Sequence, residues 1–264
     1  MRWIFFARFA RKILPRHSDN YLAIRSRNRD LGMKYALVAL SLLASMPMLP
    51  AKAVTLNPLS KCGSERWNTK TLNDPNARDV NQAPKAIAIA ALVGLPVPGG
   101  YSANNDTKRY GPTEDTVYTV RALLVGFIEE NDRDLHVVIA DPSLTNITKS
   151  DLKLKKGKKP PANIMIAEIP DPQCYSVRSG TSADQIARVR SSFEQCFGQP
   201  RGSFQMFTAH MIVDISGVGF FDKRHGQNGL AVNGIELHPV LRIKTVSGTC
   251  PTGYNVSNVS SGAQ

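Results

Sequence analysis

Between Val213 and Ile243 the chain reads VDISGVGFFDKRHGQNGLAVNGIELHPVLRI, two β-type runs joined by a Gly/Asn-rich loop. The loop carries Asp222, His225, Gln227 and Asn233, and the second run places Glu236 and His238 two residues apart. Residues two apart on a strand share a face, about 7 Å from one another. A carboxylate and two imidazoles converging there could bind a divalent ion and leave one position open for water. Spacing therefore nominates His225, Glu236 and His238 as a ligand-binding set, with Asp222 as a fourth member. Leu237, Leu241 and Ile243 mark the opposite, buried face of that strand. His136, on the outward face of an earlier strand, is expected to stand outside the set. No HExxH or comparable motif occurs, so neither a metal nor an organic cofactor is named and catalytic residues stay unassigned.

The same residues have a structural reading, which is the commoner one. Glu236 and His238 can be polar outward residues of a one-sided strand, with His225 capping a loop. Gly226, Asn228, Gly229, Asn233 and Gly234 supply positive-φ positions for consecutive turns, and Gln227 or His225 can satisfy buried carbonyls. Gly217 and Gly219 make no dinucleotide fingerprint, because FFD and not a helix follows them. No G-x-S-x-G elbow is present, which leaves nucleophilic serine chemistry unsupported. Arg133, Asp134 and Glu168 could be arranged to mimic the arginine-and-acid site of thermonuclease-type barrels.

The elements that must position these residues follow from periodicity. Thr116 to Ile128 (TVYTVRALLVGFI) is β-branched and long enough for a bent strand with Gly126 at a bulge. Leu135 to Ala140 and Asn163 to Ile169 are two further strands. A helix from Ser182 or Thr181 to Gly198 carries Ile186, Val189, Phe193 and Phe197 at helical spacing. Phe207 to Ser216 and Gly234 to Ile243 complete the set. Strand, strand, strand, helix, strand, strand is the order of the OB-fold, a five-stranded Greek-key barrel. The expected fold class is therefore mainly β: a small OB-like barrel over residues 114–250 with one helix between strands three and four. An irregular N-terminal arm (54–113) precedes it, with a short helix from Pro84 to Leu95. A small polar tail (251–264) follows, with the composition of a disordered segment. Another small β-sandwich or half-barrel with one helix is the competing architecture.

Ahead of the arm, residues 1–53 read as a basic leader and signal peptide. Lys34 flanks an apolar run from Tyr35 to Leu49, and Ala51-Lys52-Ala53 is a small-x-small cleavage site. Translation could equally begin at Met33, and Trp3 to His17 could form a basic amphipathic helix at a membrane surface. The apolar run is short of the ~20 residues a spanning helix needs, so membrane contact is expected only if the leader is retained. The leader also holds ten Lys/Arg against two Asp/Glu, which takes eight of the chain's net charge of +12. Of the remaining surplus, Lys149, Lys153, Lys155, Lys156, Lys158 and Lys159 sit in one loop with a single acid, Asp151. Such a loop attracts anions in a salt-sensitive way or is simply solvated. A nucleic-acid domain would spread its basic residues over a face and offer aromatics for stacking. Strands one to three offer only Tyr118 and Phe127, so nucleic acid is not an expected partner.

The four cysteines all follow the leader, an even count that in an oxidising compartment reads as two disulfides. No pair has zinc spacing. The expected pairs are Cys62–Cys250, fastening the arm beyond strand five, and Cys174–Cys196, joining strand three to the helix end.

Four stretches stand out: ERW (Glu65 to Trp67) with Lys70 and Asp74, DLHVVIADP (Asp134 to Pro142), MIAEIPDPQC (Met165 to Cys174) and, most specific, GVGFFDKRHGQNGLAVNGIELHPVL (Gly217 to Leu241). Through them the chain resembles a family of uncharacterised exported bacterial proteins. In such relatives strands two and three look joined by a short turn, whereas here residues 146–161 form a longer lysine-rich loop. The resemblance implies export and these domain limits, with no activity attached. The reading as a whole is an exported (periplasmic or extracellular) OB-like domain, non-enzymatic, binding a small ligand, glycan or protein partner. The alternative is a metal-dependent hydrolase using the His/Glu residues near strand five. Mass spectrometry of the exported protein is expected to show Val54 as its first residue, whereas a product that retains Met33 would contradict cleavage after Ala53.

Overall fold

The computed structural model describes residues 62–63, 65–153 and 163–253. The leader, most of the lysine-rich loop and the tail beyond 253 lie outside the described residues, and with them the expectations placed on those segments. The described residues form seven strands: β1 (Asn81–Ala86), β2 (Thr116–Glu129), β3 (Leu135–Ala140), β4 (Ile164–Ile169), β5 (Gln205–Met206), β6 (Ile212–Phe221) and β7 (Ile235–Ser247). Five of them close a barrel in the order β2-β3-β4-β7-β6 and back to β2. Pairing is antiparallel except between β4 and β7, which run parallel. This is the OB-like barrel that the order of elements implies. β1 and β5 add to β2 outside the closed ring.

Closure depends on the bend in β2. Its first half, Val117 to Leu123, pairs with β6, and its second half, to Glu129, pairs with β3. The register shifts between Leu124 and Gly126. A Cβ at Gly126 would lie 2.6 Å from the Gln205 carbonyl, so only glycine lets β5 cross there. Val120, Leu135, Val137, Ile139, Met165, Ala167, Ile215 and Leu237 fill the interior.

Among the described residues four α-helices accompany the strands: α1 (Trp67–Lys70), α2 (Ile89–Val93), α3 (Tyr175–Ser179) and α4 (Ala183–Phe197). α4 buries Ile186, Val189 and Phe193, with Phe193 edge-on to Phe127 of β2 at 5.2 Å between centroids. No helix among the described residues is long and apolar enough to cross a membrane.

Three local expectations are corrected. The segment Pro84 to Leu95 is helical only over α2, because its first residues pair in parallel with β2. The fourth barrel strand is Ile212–Phe221 and not Phe207 to Ser216. Gly217 and Gly219 lie inside it, where a Cβ would meet the carbonyls of Pro239 at 2.8 Å and Thr113 at 2.7 Å. Ser182 occupies the position before α4, yet its side chain makes no capping hydrogen bond.

All four cysteines are oxidised, but the pairs are Cys62–Cys174 and Cys196–Cys250. The expected Cys62–Cys250 and Cys174–Cys196 bonds do not form. The arm packs on the α3 segment, where Thr181 N–H donates to the Leu72 carbonyl at 3.2 Å, and this brings Cys62 to Cys174. The chain beyond β7 returns to the end of α4, where the Thr252 hydroxyl donates to the Gln195 carbonyl at 2.6 Å. Cys250 is thereby delivered to Cys196. A non-reducing peptide map should contain these two linked pairs. Replacing Cys196 and Cys250 together by Ala should cost about 4 kcal/mol, the chain-entropy value for a loop of this length, read as a lower melting temperature.

Candidate functional site: a buried histidine–carboxylate cluster beside an acidic cleft

Strand order brings the site together. β4 lies between β3 and β7, with His136 of β3 opposite Glu168 of β4 and Ile166 of β4 beside Glu236 of β7. Side chains alternate along a strand, so His136, Glu168, Glu236 and His238 all leave the barrel on its outer face. On a bare barrel they would meet water. Here their exposures are 1, 4, 1 and 0 %.

Two segments cover them. The loop from Asp222 to Gly234 crosses the face, where a Cβ on Gly229 would come within 2.5 Å of the Val138 side chain. The Asn228 carbonyl sits 2.8 Å from His136 Nε2. Asn233 ties the loop down by donating to the Leu92 and Leu95 carbonyls at 2.9 and 3.0 Å, at the end of α2. From the other side the N-terminal arm inserts Lys70, whose ammonium lies 3.2 Å from Asp222. The arm is anchored by Arg66, which is buried against Glu114 and donates to the Phe221 carbonyl at 3.1 Å.

Glu168 is the hub. Its Oε1 is 3.1 Å from His136 Nδ1 and its Oε2 is 2.9 Å from His238 Nδ1. Glu130 adds a contact of 3.2 Å to His136 Nδ1, and Glu236 Oε1 lies 3.1 Å from His238 Nδ1. On the far side of the His238 ring, Nε2 stands 3.4 Å from the buried carboxylate of Asp134.

Protonation follows from these contacts. Burial opposes charge on His136, but its hydrogen bonds to Glu130 and Glu168 prevail and raise its pKa to about 10. Burial likewise works against Glu168, yet bonds from His136 and His238, with the charge of Lys70, hold its carboxyl well below the usual range. His238 is pushed down by burial. Glu236 and Asp134 are pushed well up, first by burial and then by the carboxylates around them. Neighbouring carboxyls driven in opposite directions are an arrangement common to functional sites.

Above the cluster lies an open cleft of about 780 Å³ whose walls carry Glu65, Glu129, Glu130, Asp132, Glu168 and Asp222. Lys70, Asn131 and His225 add to its polar lining. Of the residues nominated from the sequence, Glu236 and His238 bond to each other in the buried cluster. Asp222 is buried beside it on Lys70, and His225 is exposed at the cleft, its Nε2 2.8 Å from Gln227 Nε2. The exclusion of His136 is corrected. Strand β7 closes against β4 and not beside β2, so Glu168 reaches both rings. Arg133 of the thermonuclease-like alternative instead pairs with Asp171.

Sequence reading missed Lys70, Glu130 and the central role of Glu168. A signal for the last existed. His136 and Glu168 are the only ionisable residues in LHVVIA and NIMIAEI, and a charge inside an otherwise apolar strand demands a partner.

Comparison with protein-family models, curated proteins and solved structures finds no match. Fold and site therefore define a class: an OB-like barrel whose outer face holds a buried histidine–carboxylate cluster under an acidic cleft.

The raised pKa of His136 makes a pH prediction. A pKa of about 10 in the folded chain, against an ordinary 6.5, means that its stabilisation is complete below pH 6.5. It is lost as pH rises through about 10. The melting temperature of metal-free protein should fall over that window, and the His136 ring resonances should titrate near its upper end. His136→Asn should cost about 3–5 kcal/mol at pH 7 and flatten the profile; an unchanged profile in the variant would contradict the assignment.

Proposed function

We propose that the protein is an exported binding domain whose cleft takes a small organic cation with several N–H donors, such as a polyamine. The observation that carries this reading is the convergence of six carboxylates on one cleft. That cleft lies between the β2–β3 turn and the β6–β7 loop, the two connections beside which OB barrels hold their ligands. Among the described residues that line it there is no Phe, Tyr or Trp, which disfavours stacked bases or sugar faces. Its acidity disfavours phosphate polymers as well. Two disulfides suit an oxidising compartment, in line with the leader and with membership of the exported bacterial family that the chain resembles.

A metal-dependent hydrolase is the second reading, favoured by two sets of ligating groups: Glu130 with His136 and Glu168, and Asp134 with Glu168 and His238. In each set the donor atoms lie within 4.8 Å of one another. Isothermal titration with spermidine separates the two. Saturable binding that weakens with added salt, and about tenfold with each of Glu130→Gln and Asp132→Asn, is expected, since a hydrogen bond to a charged group contributes about 1.5–3 kcal/mol. No binding at millimolar spermidine, with zinc-dependent turnover of ester or phosphodiester substrates, would favour the hydrolase.

A further inference from the structure

Three buried polar atoms in the cluster have no hydrogen-bond partner: both oxygens of Asp134 and Nε2 of His238. They face one another, with Nε2 3.4 Å from Asp134 Oδ2, and both side chains are fully buried. His238 Nδ1 already points at two carboxylate oxygens, Glu168 at 2.9 Å and Glu236 at 3.1 Å. The Glu168 carboxylate accepts, so Nδ1 carries the ring hydrogen and Nε2 presents its lone pair to Asp134. A proton shared between Asp134 and Nε2 would need a closer approach than 3.4 Å, and neither Asp134 oxygen hydrogen-bonds to the ring. Polar atoms that face each other unbonded in a dry interior are costly unless something positive lies between them.

Distance discriminates what that is. A tetrahedral ion with bonds of ~2.0–2.1 Å holds adjacent ligand atoms about 3.4 Å apart. A water molecule at ~2.8 Å from each would have to subtend roughly 75°, too acute for its two hydrogens. The order carboxylate, imidazole, then ligand position, with Nδ1–H held by Glu168, is also the arrangement by which proteins orient a metal-binding histidine.

We infer that Asp134 and His238 Nε2 form a site for a divalent cation of the zinc or manganese class, with Glu168 orienting the ring. A mixed nitrogen and carboxylate donor set suits those ions. Neither proposed ligand, Asp134 or His238, lines the cleft, although Glu168 borders both, and the site does not depend on a cationic cleft ligand. The hydrolase reading needs this ion, whereas the ion needs no turnover.

The test uses the disulfide-bonded chain produced in zinc- or manganese-supplemented medium, so that the ion is available as the buried site forms. After exhaustive dialysis, elemental analysis should find one ion per chain, and its removal with a chelator should lower the melting temperature by about 5–10 °C. Asp134→Asn keeps the shape of the side chain but should lose both the ion and the chelator-sensitive shift. The same variant should retain spermidine binding, so this inference and the cleft reading fail separately. Cobalt substituted into the wild type should show the visible absorption of a tetrahedral nitrogen–oxygen site. No ion in the wild type, or an ion retained in Asp134→Asn, would overturn the inference. Loss of the ion in Glu130→Gln with retention in Asp134→Asn would place it instead on the His136 side and equally overturn it.

Discussion

On the outer face of this barrel a single carboxylate is shared by two imidazoles: one oxygen of Glu168 lies 3.1 Å from His136, the other 2.9 Å from His238. The rings belong to β3 and β7, which do not pair with each other. Only a strand between them can offer one side chain to both, and β4 occupies that place. Taking such charges out of water costs several kcal/mol per ion unless the geometry returns it. Every segment that lies over the cluster is therefore constrained to keep water out and partners in. The positive-φ glycines of the 222–234 loop serve that constraint, letting the chain turn repeatedly while its carbonyls and amides reach the groups beneath.

The N-terminal arm is under the same constraint. Without it the cluster would lack Lys70, its one lysine, and with it the ammonium that opposes the surrounding acids. Arg66 holds the arm in register through Glu114, whose other contacts are backbone amides: Tyr110 N–H and Phe221 N–H, at 2.8 and 2.9 Å. One buried ion pair thus joins the arm, the segment before β2 and the end of β6. The Cys62–Cys174 bond clamps that arm to the start of α3. An element that looks irregular in sequence is in this way among the most firmly placed parts of the protein.

The barrel's outer face is divided by chemistry. Toward one end Leu123, Val125, Val138, Ala140 and Ile164 form a small apolar cluster that Leu152 covers. Toward the other lie the cluster and the acidic cleft. The apolar half is held by burial of its surface from water. The ionic half is held by mutual pairing, and pairing responds to pH, salt and bound cations as apolar burial does not. Such a division puts the responsive chemistry beside the open cleft and leaves the rest of the face to carry stability.

Much of the architecture was legible in the residues. The alternation and β-branched content of the strands, the helical spacing of Ile186, Val189 and Phe193, and their order along the chain lead to the barrel, because each pattern is a local consequence of backbone geometry. The GVGFFD to ELHP stretch pointed to the segment that holds the buried Glu236 and His238, since polar residues that dense beside apolar strands need partners. Local patterns could not say who those partners were. His136 and Glu168 are 32 residues apart and His238 another 70, and their meeting depends on the parallel closure of β7 on β4. The cysteine pairs, the insertion of Lys70 and the burial of Glu236 depend likewise on contacts between distant segments. A sequence specifies which side of a strand a residue takes; which strand, loop and arm come to lie against that side is decided only when the barrel closes and the remaining chain packs over it.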